Sequence, residues 1–257
     1  MEISKKYRYF IKLAYNGANY SGWQIQPNAP SVQQTINEAI STILQQEINI
    51  VGCGRTDTGV HAKEFYAHFD INEDIANKTE DIARRLNHFL PKDISVFKII
   101  PVDSEAHARF DAISRSYKYV VSQRKDPFYK DFSYFVHDNL NIDKMNKAAE
   151  TLFEFTDFTS FSKLHTQVKT NNCKIMQAYW QEKNHLLVFN ITADRFLRNM
   201  VRAIVGTLLD VGRNKISTED FKKIIESRNR SNAGYSVPAK GLFLTHIQYP
   251  KGLFENK

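Results

Sequence analysis

The 257-residue chain carries 35 Lys and Arg against 28 Asp and Glu, a net charge of +7, with 42% hydrophobic and 12% aromatic residues. These are ordinary values for a globular protein with a substantial core. Two cysteines, Cys53 and Cys173, exclude a disulfide framework, and the lack of any run of ~18 apolar residues excludes a helical membrane span. The excess of cations favours a polyanionic partner, and a start that runs straight from charge into alternation, with no signal-peptide core, points to the cytoplasm.

In chain order, Tyr9, Ile11, Leu13 and Tyr15 alternate with Arg8, Phe10, Lys12 and Ala14, the period of a strand. After a Gly/Asn/Pro-rich loop, Ser31 stands three residues before Gln34 as a capping-box pattern, and Val32, Ile36, Ala39, Ile40, Ile43 and Leu44 form one helical face. Ile48 and Ile50 predict a second strand, and Phe65, Ala67, Phe69 and Ile71 a third. Ile82, Leu86, Phe89 and Leu90 mark a helix stopped by Pro91, and a fourth strand lies near Ile94 to Ile100.

The second half repeats that order. Tyr117, Tyr119 and Val121 begin a strand; Ile142, Met145, Ala149 and Leu152 share a helical face; two strands follow around Ile175–Trp180 and Leu186–Ile191. A long helix carries Phe196, Met200, Val201, Ile204, Val205 and Leu208 up to Gly212, then a short helix follows Ser217 and a last strand runs from Leu242 to Tyr249. The expected fold is therefore α/β, of the α+β type, with two ferredoxin-like β-α-β-β-α-β halves, 1–104 and 105–257. Joined edge to edge, they would form one extended, mostly antiparallel sheet with helices on one face and a basic cleft on the other.

Chemistry concentrates in Gly52-Cys53-Gly54-Arg55-Thr56-Asp57-Thr58-Gly59-Val60-His61-Ala62. Three glycines in eight residues permit tight turns and close approach of a ligand. In an extended stretch Arg55 and Asp57 share a face, and a neighbouring cation keeps a carboxylate ionised, which suits nucleophilic or basic work. The same spacing also describes a surface ion pair on a hairpin. Asp57-Thr58-Gly59 matches the aspartic-protease triplet, but that chemistry needs two carboxylates sharing a proton and only one such triplet occurs. Arg195, Arg198 and Arg202, at i, i+3, i+7, predict a basic row on the long helix, able to fork onto phosphates or clamp a carboxylate, or simply a solvated face. Arg115-Ser116-Tyr117-Lys118-Tyr119 interleaves cations with aromatics, either an RNA-stacking strand or one whose tyrosines face the core. His61 lacks companions at metal-ligand spacing, and no Walker or Rossmann glycine pattern implies a nucleotide cofactor.

Gly54-Arg55-Thr56-Asp57-Thr58-Gly59-Val60-His61-Ala62 closely resembles the catalytic motif of the tRNA pseudouridine synthase A family. So do Tyr15-Asn16-Gly17, Gly22-Trp23-Gln24-Ile25-Gln26, Leu86-Asn87, Leu90-Pro91, His107-Ala108-Arg109-Phe110, the strand around Tyr117, Asn199-Met200-Val201-Arg202, Ile204-Val205-Gly206 and Gly241-Leu242-Phe243-Leu244. The resemblance implies that Asp57 is the essential carboxylate, Tyr117 stacks on the target base, Arg202 pairs with Asp57 and Arg55 contacts the RNA. Arg195, Arg198, His61 and Leu242 join them as candidate RNA-binding residues. It further implies a homodimer with no cofactor, acting on uridines in the anticodon arm of tRNA, and the residues themselves offer no metal site. Thr58 stands where the family often has alanine. The rival from another class is a non-catalytic RNA-binding module, which offers no use for a carboxylate among cations.

Overall fold

The computed structural model describes residues 6–163 and 169–254. The chain divides into two compact units, Met1–Ile113 with Leu244–Lys257, and Ser114–Phe243. Strand pairing is mostly antiparallel in a mixed α/β arrangement.

The first unit runs β1 (Tyr7–Tyr15), α1 (Val32–Leu44), β2 (Val51–Gly52), β3 (His61–Ile71), α2 (Thr79–Phe89) and β4 (Ile94–Val102). β1 lies between β3 and β4, antiparallel to both, and β2 pairs with β3. This is the expected split βαβ order. Tyr9, Ile11, Leu13 and Tyr15 are buried, and the buried residues of α1 (Val32, Ile36, Ala39, Ile40) and α2 (Ile82, Ala83, Leu86) supply matching apolar surface. Asn87 clips α2 to β4, donating to the Val96 carbonyl (2.7 Å) and accepting the Val96 N–H (2.8 Å).

Two local features depart from expectation. The second strand is displaced to Val51–Gly52. Ile48 and Ile50 are buried, but side chains of α1 take their backbone groups. The Ile48 N–H bonds Ser41 Oγ, the Ile50 N–H bonds Asn37 Oδ1, and the Ile50 carbonyl accepts from Gln33 Nε2. A backbone satisfied this way has no need of a ladder. The capping box at Ser31 is half formed: Ser31 Oγ accepts the Gln34 N–H, while the Gln34 side chain turns to Glu38.

The second unit runs β5 (Ser114–Ser122), β6 (Tyr134–Phe135), α3 (Ile142–Glu150), β7 (Ile175–Lys183), β8 (Leu186–Ala193), α4 (Met200–Gly212) and α5 (Thr218–Glu226), before β9 (Leu242–Gln248). β8 lies between β5 and β7, antiparallel to both. β6, too short to leave a sequence period, pairs parallel with β5. α5 has the full capping box, Ser217 with Asp220. From Leu244 onward the last strand belongs to the first unit, beside β3.

In the first unit the second sheet face is partly covered. Phe10 there is fully buried, stacked on His68 and edge-on to Tyr249 and Phe254. Tyr66 packs on the same two tail rings, and the Tyr249 hydroxyl donates to the Ala108 carbonyl (2.6 Å). Charged neighbours pair off as Arg8–Asp70 and Lys12–Glu64, each 2.7 Å.

Candidate active site

Asp57 sits on the loop between β2 and β3, and the segment after β1 holds that loop through its backbone. The Thr56 carbonyl accepts the Trp23 N–H (3.3 Å), and the Tyr20 carbonyl accepts the Gly59 N–H (3.2 Å). Within the loop the Val60 N–H closes on the Asp57 carbonyl (3.1 Å). The Tyr15 and Thr56 hydroxyls bond at 2.9 Å in a buried contact. Gly22 makes the approach possible. It sits at φ +92°, and a Cβ there would collide with the Thr56 carbonyl. The Trp23 ring stacks on Phe65 at 4.0 Å. The holding segment is itself tied down, since the Asn16 N–H bonds the Asp93 carbonyl and the Tyr20 hydroxyl bonds Asp93 Oδ1 (2.7 Å). Burial, then that carboxylate, pushes the Tyr20 phenol pKa up.

Exposure differs from residue to residue along this loop. Arg55 is exposed, Thr56 buried and Asp57 half-buried. His61 is buried, and its Nδ1 accepts the Gly17 N–H (3.1 Å), so that nitrogen carries no proton in this bond. The structure thus places His61 as a strut from the start of β3 to the segment after β1. Its signal in the sequence was the absence of companion ligands. The glycines of Tyr15-Asn16-Gly17 and Gly22-Trp23 gave no hint, before the fold, of which loop they hold.

In the second unit Tyr117 is half-buried on β5, its ring edge-on to Phe196 at 5.1 Å. Tyr119, two residues on, is core, its hydroxyl bonded to the Pro238 carbonyl. The two tyrosines therefore differ in burial: Tyr119 is internal, and Tyr117, two residues along the same strand, is only half-buried.

The basic row is not a helix face. α4 begins only at Met200, so Arg202 alone of the three arginines is helical. Arg195 and Arg198 lie on the preceding connection, half-buried and exposed respectively. The reason is local. Asp194 Oδ1 accepts the N–H groups of Lys174 and Arg195, both at 2.7 Å, Arg115 Nη1 holds the Asp194 carbonyl, and the Lys163 N–H takes the Arg198 carbonyl. Asn199 then turns left-handed at φ +68° just before the helix.

Arg202 is half-buried, and its Nε donates to the Val237 carbonyl (2.6 Å), while the Val237 N–H returns to the Arg202 carbonyl (3.2 Å). Gly206 permits this strap, because a Cβ there would collide with the Tyr235 carbonyl. Arg230, missed in the sequence, secures the same strap through the carbonyls of Ala233 and Gly234 and the Ser236 hydroxyl. Leu242 is buried at the start of β9. Among the described residues no helix is long and apolar enough to cross a membrane.

Comparison with known proteins matches the chain to a family. A family model described as tRNA pseudouridine synthase matches residues 12–111 and 148–250, stretches that include the Asp57 loop, the holding segment and Arg202, while Tyr117 falls between them. The chain is 55% identical over 249 residues to tRNA pseudouridine synthase A of Bacteroides fragilis, covering 96% of this chain and 98% of that protein. It is 55% identical over 249 residues to the protein of that name from Porphyromonas gingivalis, at 96% and 99% coverage. With that of Limosilactobacillus reuteri it shares 38% over 253 residues, at 95% and 97%. Near-full-length identity at this level, with a pinned loop carrying the resembling carboxylate, means that the chain belongs to the tRNA pseudouridine synthase family, and is an isomerase acting on uridine in tRNA.

Proposed function

We propose that the chain converts uridines of the tRNA anticodon arm to pseudouridine, in the cytoplasm, as a homodimer and without a cofactor, with Asp57 as the essential carboxylate. The observation that carries the proposal is the Asp57 loop. Its backbone is fixed by three hydrogen bonds, two of them to the segment after β1, while Asp57 itself is half-buried. A carboxylate oriented by its main chain loses little freedom when substrate arrives, which is the condition for effective positioning.

The reaction breaks the N1–C1′ bond, turns the uracil and forms a C5–C1′ bond. The proton at C5 is lost and N1 gains one, so atoms and electrons balance within one nucleotide. Attack on C6, bonding to C1′ and removal of the C2′ proton all assign the carboxylate a basic or nucleophilic part. A base inside a duplex stem is unreachable, so the nucleotide must leave the stack at a cost of a few kcal/mol. Tyr117 stacking on the extruded base, and Arg55 against the RNA, would offset it. Arg202 keeps the proposed role of cation serving the carboxylate, and the Val237 carbonyl on its Nε sets the plane of the guanidinium. Arg195 and Arg198, on an irregular connection rather than one helix face, are proposed to meet phosphates separately.

The test is tritium release from an anticodon-arm RNA labelled at uridine C5. Asp57→Asn keeps shape and removes charge, and turnover should fall at least ~100-fold while RNA affinity changes little. Release within tenfold of the unaltered protein would remove Asp57 from the chemistry.

A further inference from the structure

A column of rings runs from the core of the first unit to its surface. It starts at Phe10, fully buried, which stacks on His68 at 6.0 Å. His68, 4% exposed, meets His107 edge-on at 4.6 Å, and His107 lies against Phe110 at 4.2 Å and 34°. The last ring, Phe110, is 75% exposed. The segment that carries it is firmly built. His107 Nδ1 accepts the N–H groups of Arg109 and Phe110, and Asp111 Oδ2 accepts that of His107. His68 Nδ1 accepts the Ala108 N–H, Arg8 holds the Ala106 carbonyl and Tyr249 the Ala108 carbonyl. The Arg109 guanidinium lies over the Phe110 ring, 5.8 Å from its centroid.

A loosely held loop exposes an aromatic by fraying. This one is fastened at five consecutive residues and still presents its largest apolar side chain to water, with one ring face already packed on an imidazole. We propose that Phe110, with Arg109 beside it, is a stacking platform for one unpaired nucleobase of the RNA substrate. The inference rests on the reading of the protein as a tRNA-modifying enzyme and concerns a surface to which no role has been given. A base laid on the outer face of Phe110 would extend the column by one ring, and the neighbouring guanidinium adds a cation to the stack. Charge favours a base over a phosphate at this point. Asp103, Glu105 and Asp111 lie in the same stretch as Arg109 and would repel a backbone anion, whereas stacking tolerates them.

The experiment measures tRNA affinity across a range of salt for the unaltered protein, Phe110→Ala and Phe110→Trp. Because the ring makes few internal contacts, all three should share one melting temperature. Phe110→Ala should weaken binding ~5- to 100-fold, and Phe110→Trp should restore it. The slope of log affinity against log salt should stay the same in all three, since no phosphate contact is lost. Equal affinity in Phe110→Ala would overturn the proposal. So would a slope shallower by ~0.7, the mark of a lost phosphate contact. A smaller assembly by sedimentation would overturn it too, showing that the ring meets a second copy of the chain. Tritium release is scored separately: if no protein released tritium the enzymatic reading would fail, and the affinity series would still decide whether Phe110 holds RNA.

Discussion

His68 ties the chemistry of one residue to the stability of the first unit. Burial, and then the nearby His107 and Arg8, hold its pKa down to about 4, from an ordinary 6.5. His107 is shifted in the same direction, chiefly by burial. The folded protein thus keeps His68 neutral where the unfolded chain would already take up a proton. Its contribution to stability is complete above pH ~6.5 and declines as pH falls toward 4, by at most on the order of 3 kcal/mol. His68→Asn retains an acceptor for the Ala108 N–H without a titrating group. Denaturant midpoints at pH 7 and pH 5 should differ clearly for the unaltered protein and much less for the variant; equal pH sensitivity in the two would remove His68 as the cause. Not all such residues were legible in the sequence. Asp57 and Arg55 stood out because a carboxylate, a cation and three glycines share one short loop. His68 occupies an ordinary alternating strand position, and only the packing of residues 106–111 gives it meaning.

At the scale of elements, helix faces and alternating strands were read nearly in place, because one buried side imposes its period on the chain. Backbone groups claimed by side chains were not legible, as at Ile48 and Ile50, nor were helix starts set by distant partners. Arg195, Arg198 and Arg202 have helical spacing, yet the carbonyls and N–H groups around Asp194 and Arg198 are spent on Arg115, Lys163 and Lys174, and spacing carries no trace of those partners. The loop-on-loop contact at Gly22 was equally hidden. It leads to a direct expectation. Gly22→Ala must displace either its own backbone from φ +92° or the Thr56 carbonyl next to Asp57. Strain of ~1–3 kcal/mol should leave the protein folded, but turnover should drop at least ~10-fold, as a small misplacement of a reacting group does. A melting temperature that falls steeply while turnover per folded molecule is unchanged would mean that the loop can move without consequence for Asp57.

For the molecule as a whole, the repeated β-α-β-β-α-β order was plain in the pattern of apolar residues, whereas the company kept by the last strand was not. Residues from Leu244 onward serve the first unit. Tyr249 and Phe254 cover Phe10 and Tyr66 there, and the Ile247 N–H bonds Glu64 Oε1. Removing the chain from Tyr249 onward strips two rings from a buried phenylalanine and should lower stability by ~3–5 kcal/mol, read as an earlier denaturant midpoint. An unchanged midpoint would show that the tail lies idle on the sheet. The same arrangement also bears on how the protein is made. Domains tend to fold from the N-terminus as the chain leaves the ribosome, but here the unit that carries Asp57 must wait for a strand translated after everything in the other unit. A message read only part-way yields a polypeptide with the full Asp57 loop but without the strand from Leu244 that joins its unit, so the order of synthesis itself withholds the completed carboxylate-bearing unit until that late strand has been made.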